Sequence, residues 1–212
     1  MADQPLVVLT VGHSNVPIER LLELLKTHGV EVLVDIRSQP FSRYASQFNK
    51  EPLQAALRQA GLRYLFLGDC LGGRPSGPEF YDEDGHVLYG KMAEQPSFKA
   101  GIDRLLDGAK KLRITLMCGE EDPFECHRRL LVGRVLRTRG VVLLHIRQNG
   151  ELQTDEQVED LHVTERERQR RRAGQQLSLF GDDGSASHEE AVPWRSTRSV
   201  SPRHQPSDSS ND

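Results

Sequence analysis

The sequence lacks the hydrophobic segments that would place a chain in a membrane or direct it for export. No apolar run approaches the roughly 18 residues of a membrane span. The first ten residues, MADQPLVVLT, lack a positively charged start followed by an apolar stretch. Cysteine is also scarce, with three residues in 212. An odd number of cysteines without an export signal favours free thiols or metal ligands over a disulfide framework. We therefore expect a cytoplasmic protein.

Neither sign of charge dominates the chain, although its two parts differ. Residues 1–150 carry 20 Lys and Arg against 18 Asp and Glu, which is a net charge of +2. Residues 151–212 carry 8 against 13, which is −5. A mildly basic folded part neither requires nor excludes a nucleic-acid partner.

The apolar pattern predicts an α/β domain. Short apolar runs at 6–11, 30–36, 63–67, 113–118 and 141–146 alternate with segments of helical periodicity. This alternation is typical of a parallel sheet. We expect one domain over residues 1–150, with a mostly parallel, Rossmann-like sheet of about five strands and helices on both faces. Residues 151–174 are then a charged linker or partly helical extension. The composition of residues 182–212 predicts a disordered tail.

Unusual polar side chains follow four of the predicted strands. In an open parallel sheet, ligands bind outside the carboxyl ends of the strands, so these side chains are expected around one cleft. We expect substrate-binding roles, with the arginines gripping phosphate or carboxylate bidentately, for His13, Ser14, Arg37, Ser42, Arg43, Arg74 and Arg128.

The densest polar stretch is CGEEDPFECHRR, residues 118–129. A helix is expected from about Phe124, so Cys126 and His127 would lie in its first turn. There the helix dipole and the free N–H groups favour anions and lower the pKa of a thiol. Acid–base work by carboxylates and nucleophilic attack by thiols are the chemistry of such groups. The candidate catalytic residues are Asp35, Cys118, Glu120, Cys126 and His127.

Simpler interpretations of these residues remain open. Cys118 could be a small core residue, and His127 could lie on a helix surface. Cys118, Cys126 and His127 with a carboxylate could bind zinc, but the seven-residue gap and the adjacent Cys-His fit no standard ligand spacing. We expect no metal and no cofactor, and we interpret Cys70 as structural.

Four ordered blocks carry a resemblance to a known family. TVGHSN (10–15), VLVDIRSQPFSRYASQFN (32–49), GLRYLFLGDCLGGRP (61–75) and LMCGEEDPFECHRRLL (116–131) resemble successive blocks of the family called domain of unknown function 488. The resemblance covers about residues 7–150. The family pattern pairs a Cys with a Glu two residues later and a Cys-His-Arg further on, here Cys118, Glu120 and residues 126–128. It implies an α/β fold with a polar site at one rim and supplies no reaction.

A second resemblance lies in the C-terminal part. Gln176, Leu177, Ser178, Leu179 and Phe180 resemble the pentapeptide by which bacterial replication and repair proteins bind the β sliding clamp. An extended segment can insert the apolar side chains into a groove while Gln176 hydrogen-bonds at its rim. The resemblance implies a clamp as partner, bound through residues 175–181.

Three functional hypotheses follow. The favoured one is a clamp-tethered enzyme acting on DNA or nucleotides, in DNA repair or in lesion or modified-base processing. The second is a non-catalytic adaptor that binds nucleic acid or an anionic ligand. The third is a thiol or sulfur-transfer enzyme, because VDIR on a strand and a later cysteine loop resemble the rhodanese layout, although the six-residue Cys-to-Arg cradle is missing.

Overall fold

A six-stranded sheet forms the centre of the domain in the computed structural model, which describes residues 5–162 and 194–200. The strand order is β3-β2-β4-β1-β5-β6. The first five strands in the chain are parallel, and β6 pairs antiparallel with β5. The α/β fold with a mostly parallel sheet is confirmed, with one more strand than expected. The strands are β1 Val7–Gly12, β2 Val32–Asp35, β3 Arg63–Phe66, β4 Ile114–Cys118, β5 Val142–Ile146 and β6 Leu152–Thr154.

Helices connect the parallel strands, and three of the α-helices have six residues or fewer. The α-helices are α1 Ile18–Thr27, α2 Lys50–Gln59, α3 Gly68–Leu71, α4 Tyr89–Glu94, α5 Pro96–Ala109, α6 Arg134–Thr138 and α7 Asp155–His162. Single 3₁₀ turns occur at Ser46–Phe48 and Pro78–Phe80, and a π-helix occupies Arg128–Gly133. Within the described residues, no helix is long and apolar enough to cross a membrane.

The sheet is covered by apolar side chains on both faces. Leu21 and Leu25 of α1 pack with Leu53 of α2 on one face, and Phe98 and Ile102 of α5 belong to the core on the other. Strands β2 and β4 are buried throughout. Burial of each large apolar side chain contributes roughly 1.5–3 kcal/mol. Because apolar side chains cover both faces of the sheet, the polar side chains that could bind a ligand lie at the ends of the strands.

The helix after β4 begins later than the sequence predicts. Phe124 and Glu125 form a turn in which the Cys126 amide donates to the Pro123 carbonyl at 3.1 Å. The regular helix starts as a π-helix at Arg128, and His127 is its N-cap. The expected position of Cys126 in a first helical turn is therefore wrong. π-helical turns are rare and often lie at functional sites.

The domain extends beyond residue 150. Residues 152–162, expected as linker or partly helical extension, add strand β6 and helix α7. Residues 194–200, expected as part of a disordered tail, instead pack against the domain, and we call them the docking segment. The rest of the predicted tail and residues 163–174 lie outside the described residues.

Backbone and side-chain contacts hold the docking segment. The Trp194 indole N–H donates to the Leu130 carbonyl at 2.8 Å, and Ser196 exchanges two hydrogen bonds of 2.9 Å with the backbone of Val87. The Arg134 guanidinium lies 4.5 Å from the centre of the Trp194 ring. The single tryptophan of the chain thus anchors a segment whose composition predicts disorder.

Asp155 joins the C-terminal elements to the π-helix. Its carboxylate accepts from the Arg129 Nε at 2.8 Å and also pairs with Arg137, and the buried ring of His145 lies 3.4 Å away. Burial alone would raise the pKa of Asp155, but the hydrogen bond from His145 and the charges of both arginines lower it to about 2.

We predict that Asp155→Asn lowers the free energy of unfolding at pH 7 by roughly 1–3 kcal/mol. The change removes the carboxylate that pairs with Arg137 and with the buried Arg129, and Arg129 keeps its longer ion pair with Glu159. Because the pKa of Asp155 is lower in the folded protein than in the unfolded chain, its carboxylate stabilises the fold at pH values above about 3.9, the ordinary pKa of aspartate. This stabilisation is lost as the pH falls toward 2. Urea unfolding at several pH values measures both effects. An equal difference between variant and wild type at pH 7 and at pH 2.5 would contradict this role.

Candidate functional site

A cavity of about 820 Å³ opens at the carboxyl ends of β1, β2 and β4. Its wall combines residues from loops that are far apart in the sequence, as expected for an open parallel sheet. The structure places eight of the sequence-predicted site residues on this wall: His13, Arg37, Ser42, Arg74, Cys118, Glu120, Cys126 and His127.

Four of these residues form a compact group, which we call the Cys-His-Glu cluster: Cys118, Glu120, Cys126 and His127. The Glu120 Oε2 atom accepts from the Cys118 thiol at 2.9 Å and from the Cys126 thiol at 3.2 Å. The His127 Nδ1 atom lies 3.5 Å from the Cys118 sulfur and 3.9 Å from the Cys126 sulfur. Both thiols are therefore between a carboxylate and an imidazole.

The orientation of the His127 ring is set by the backbone of the β2 loop. Its Nε2 atom lies 3.0 Å from the Ile36 carbonyl oxygen. A carbonyl can only accept, so Nε2 carries a proton, and in the neutral ring Nδ1 presents a lone pair to the two sulfurs. The ring also packs against Gly73, where an added Cβ would lie 2.5 Å from the His127 Cγ.

Burial and mutual contacts shift the pKa values of the cluster in opposite directions. Burial would raise the pKa of Glu120, but the hydrogen bond from Cys118 and the charge on His127 lower it to about 2. Burial would also raise the pKa of Cys126, but the hydrogen bond with Cys118 and the charge of Arg128 lower it. The hydrogen bond with Cys126 and burial raise the pKa of Cys118. Glu120 is thus ionised, and Cys126 loses its proton before Cys118.

Arg128 holds the loop that carries Glu120. Its side chain is completely buried, and it donates to the backbone carbonyl of Glu120 and, at 2.6 Å, to that of Glu121. Gly12 allows this loop to cross the end of β1, since an added Cβ would lie 1.6 Å from the Glu120 carbonyl oxygen. Arg128 was expected to contact substrate, but both terminal nitrogens bind the protein's own backbone.

Asp35 and Arg37 form a buried pair beside the cluster. The Arg37 Nε and Nη2 atoms donate to the two Asp35 oxygens at 2.9 and 2.6 Å, and the Tyr64 hydroxyl donates to Asp35 at 2.9 Å. Arg37 Nη1 lies 3.1 Å from His13 Nε2. Burial and then the Arg37 charge lower the pKa of His13 to about 4, so its ring is neutral at pH 7. This geometry favours a positioning role for Asp35 rather than proton transfer.

The remaining predicted residues lie in different places. The Ser42 hydroxyl accepts from the Tyr44 and Ala45 amides and faces the cavity, whereas Arg43 is exposed. Ser14 has a left-handed backbone, with φ of 46°, and its carbonyl is 2.6 Å from His13 Nδ1. In the part of the chain that the structure describes, Ser14, Asp35, Arg43 and Arg128 do not line the cavity.

Sequence reasoning missed the part of the wall that comes from the C-terminal region. Ser196 and Arg198 of the docking segment line the cavity, and the Arg198 guanidinium pairs with Glu125 at 2.5 Å. His162 of α7 stacks on Phe124 with ring centres 4.0 Å apart. The only available signal was the lone tryptophan at Trp194, an unusual residue in a polar stretch.

A family model for "Domain of unknown function DUF488" matches residues 17–135. The chain therefore belongs to this family, and the match contains the β2 loop, the β3 loop and the whole Cys-His-Glu cluster. No curated protein matches the sequence significantly.

We predict that Gly73→Ala lowers the free energy of unfolding by roughly 1–3 kcal/mol, because the new methyl group would overlap a histidine ring held by a hydrogen bond. Gly108→Ala is the control. Its Cβ would meet nothing within 4 Å, and its place in α5 makes alanine neutral or stabilising by roughly 0.4–1 kcal/mol. Denaturant unfolding of both variants measures the difference. Equal stability of the two would show that His127 is not held against Gly73.

Proposed function

We propose that this protein is an enzyme that acts on DNA or nucleotides while tethered to the β sliding clamp, in DNA repair or in the processing of lesions or modified bases. The observation that carries the proposal is the cavity, in which the Cys-His-Glu cluster is surrounded by the cationic side chains of Arg37, Arg74 and Arg198. Because bacterial DNA is in the cytoplasm, the proposal includes a cytoplasmic location.

The cavity offers guanidinium groups to an anionic substrate. Arg37 is held in place by Asp35, and Arg198 contributes from the docking segment. Among residues 5–162 and 194–200, no ion pair involves Arg74. A guanidinium without a carboxylate partner, beside a cavity, suits a phosphate oxygen.

The loop after β2 adds aromatic surface at the cavity. Phe41 lines the cavity with 69% of its surface exposed, and Tyr44 is 86% exposed on the same loop. Arg43 lies between them and is also exposed. Aromatic side chains next to cationic ones are the surface on which unpaired bases stack. This loop therefore supports a nucleic acid or nucleotide rather than a simple anion as substrate.

The sulfur-transfer hypothesis is less well supported by the geometry. Both thiols of the cluster are buried and bonded to Glu120, whereas a sulfur carrier must present its thiol to an acceptor. An adaptor would bind its ligand at the same surface as the enzyme. Binding measurements therefore cannot distinguish the two hypotheses, whereas a measurement of turnover can.

The clamp-binding motif lies between two parts of the chain that are held on the domain. Residues 176–180 lie outside the described residues, but His162 and Trp194 are each 14 residues away from the motif in sequence. An extended chain spans at most about 3.6 Å per residue, so the motif stays within about 50 Å of both points. A tether of this length would raise the local concentration of the enzyme at the clamp, to roughly millimolar for a short flexible linker.

We predict that the double variant Phe41→Ala, Tyr44→Ala weakens binding of a fluorescent single-stranded oligonucleotide by at least about tenfold, since stacking contributes roughly 1–3 kcal/mol per base. Val142→Ala is the control, because it removes an exposed side chain from the amino end of β5. Fluorescence polarisation measures both. If the double variant binds like the control, the loop is not a base-stacking surface.

For catalysis, we predict that Glu120→Gln abolishes turnover of the oligonucleotide or nucleotide substrate while binding changes by less than about threefold. The neutral amide removes the carboxylate that both thiols contact and leaves the arginines of the cavity unchanged. Mass spectrometry of oligonucleotides that carry modified bases detects turnover, and polarisation measures binding. Binding by the wild type without any product across such a panel would favour the adaptor.

For the clamp, we predict that the full chain binds a bacterial β clamp with roughly micromolar affinity and that Leu179→Ala with Phe180→Ala abolishes binding. Burying these side chains in the clamp groove supplies the free energy. Titration of the clamp with wild type and double variant measures the loss, and circular dichroism checks that the domain remains folded. If the clamp binds the wild type and the double variant equally, the clamp is not a partner through this motif. The proposal that the cavity binds DNA or nucleotides would be unaffected.

A further inference from the structure

The geometry points to a zinc site at the cavity wall, formed by Cys118, Cys126 and His127, with Glu120 as a possible fourth ligand. This inference concerns the composition of the site, and it does not require that the substrate be DNA or a nucleotide.

The donor atoms already lie at nearly the separations that zinc requires. In a tetrahedral site with bonds of about 2.0–2.3 Å, ligand atoms are roughly 3.3–3.8 Å apart. The four sulfur–oxygen and sulfur–nitrogen separations here are 2.9, 3.2, 3.5 and 3.9 Å. The two sulfurs and a nitrogen of His127 all lie within 4.8 Å of one another and form a three-ligand group. Glu120 is not part of that group and contacts only the two sulfurs, so its carboxylate would have to move toward His127 to become the fourth ligand.

The hydrogen bond of His127 selects the tautomer that a zinc ligand needs whenever the ring is neutral. Its Nε2–H donates to the Ile36 carbonyl at 3.0 Å, so in the neutral ring the Nδ1 lone pair faces the sulfurs. Zinc-bound histidines nearly always donate their other ring nitrogen to a carboxylate or a backbone carbonyl. The contact with Gly73 keeps the ring in this orientation.

The loop that carries two of the ligands is anchored before any metal binds. Arg128 bonds the carbonyls of Glu120 and Glu121, and the His13 amide donates to the Cys118 carbonyl at 3.0 Å. A rigid loop reduces the ordering cost of metal binding. A donor set of two sulfurs, one nitrogen and one oxygen suits zinc better than magnesium or calcium, which prefer oxygen.

The position of the site on a cavity wall suggests a catalytic rather than a structural ion. Structural zinc sites are closed, whereas catalytic ones keep a position for water or substrate. Glu120 is the ligand that could be exchanged, since Cys118, Cys126 and His127 already provide three. A zinc ion there would act as a Lewis acid toward an anionic substrate held by Arg37 or Arg74.

A second cluster of possible ligands, formed by Asp82, Asp84 and His86, does not support the same inference. Asp82 accepts from the His86 amide at 2.8 Å and pairs with Arg195, and Asp84 is exposed. The carboxylate of Asp82 is thus already paired with a cation of the protein itself.

The test measures metal content in matched cysteine variants of the full chain. The reduced protein is incubated with zinc, passed over a desalting column and analysed by elemental mass spectrometry. We expect about one zinc per chain for the wild type and for Cys70→Ser, because Cys70 lies in α3 outside the cluster. We expect at least a fivefold loss for Cys118→Ser and for Cys126→Ser. Substoichiometric zinc in the wild type, or equal loss in Cys70→Ser, would overturn the site.

A measurement on the wild type alone avoids dependence on the folding of variants. Cobalt added to the metal-free protein should produce the near-ultraviolet charge-transfer band of thiolate-bound cobalt and the visible bands of a tetrahedral ion, at one equivalent. Loss of both bands on adding zinc would confirm a shared site. A protein without these bands, or with only one free thiol under denaturing, non-reducing conditions, would show that Cys118 and Cys126 form a disulfide or a thiol pair instead.

Discussion

The buried guanidinium of Arg128 is the contact on which the rest of the site depends. It lies at the start of a π-helix, is inaccessible to solvent and donates to two carbonyls of the loop after β4. A buried charge is tolerated only when it is compensated, and here the ionised Glu120 carries the opposite charge. The same interaction thus fixes the loop, brings Glu120 to the two cysteines and lowers the pKa of Cys126.

The cavity beside this contact is lined both by buried, hydrogen-bonded side chains and by an exposed one. His13 and Arg37 line the cavity and are held by hydrogen bonds to one another and to the buried Asp35. Arg198 lines the same cavity from the docking segment and is largely exposed. A substrate would therefore meet both preformed buried groups and an exposed side chain of a segment anchored by Trp194.

The docking segment also links the cavity to the proposed clamp motif. The described residues end with α7, whose last residue stacks on Phe124, and resume at Trp194, and the proposed motif lies between these points in sequence. His162 and Arg198, on either side of the motif in sequence, are both part of the cavity wall.

The sequence alone determined the sheet and its polar rim, because strands that are buried on both faces, such as β2 within 30–36, are mostly apolar, and their polar residues are then confined to the strand ends. It could not separate binding residues from supporting ones. Arg37 and Arg128 look alike in sequence, yet one borders the cavity and the other binds backbone carbonyls. It also could not reveal the convergence of Cys118 with Cys126 and His127 at ligand distances, because their spacing matches no local pattern. Only the tertiary structure decided this, since the turn at Phe124 and the late start of the helix reverse the chain and bring the three side chains to one point.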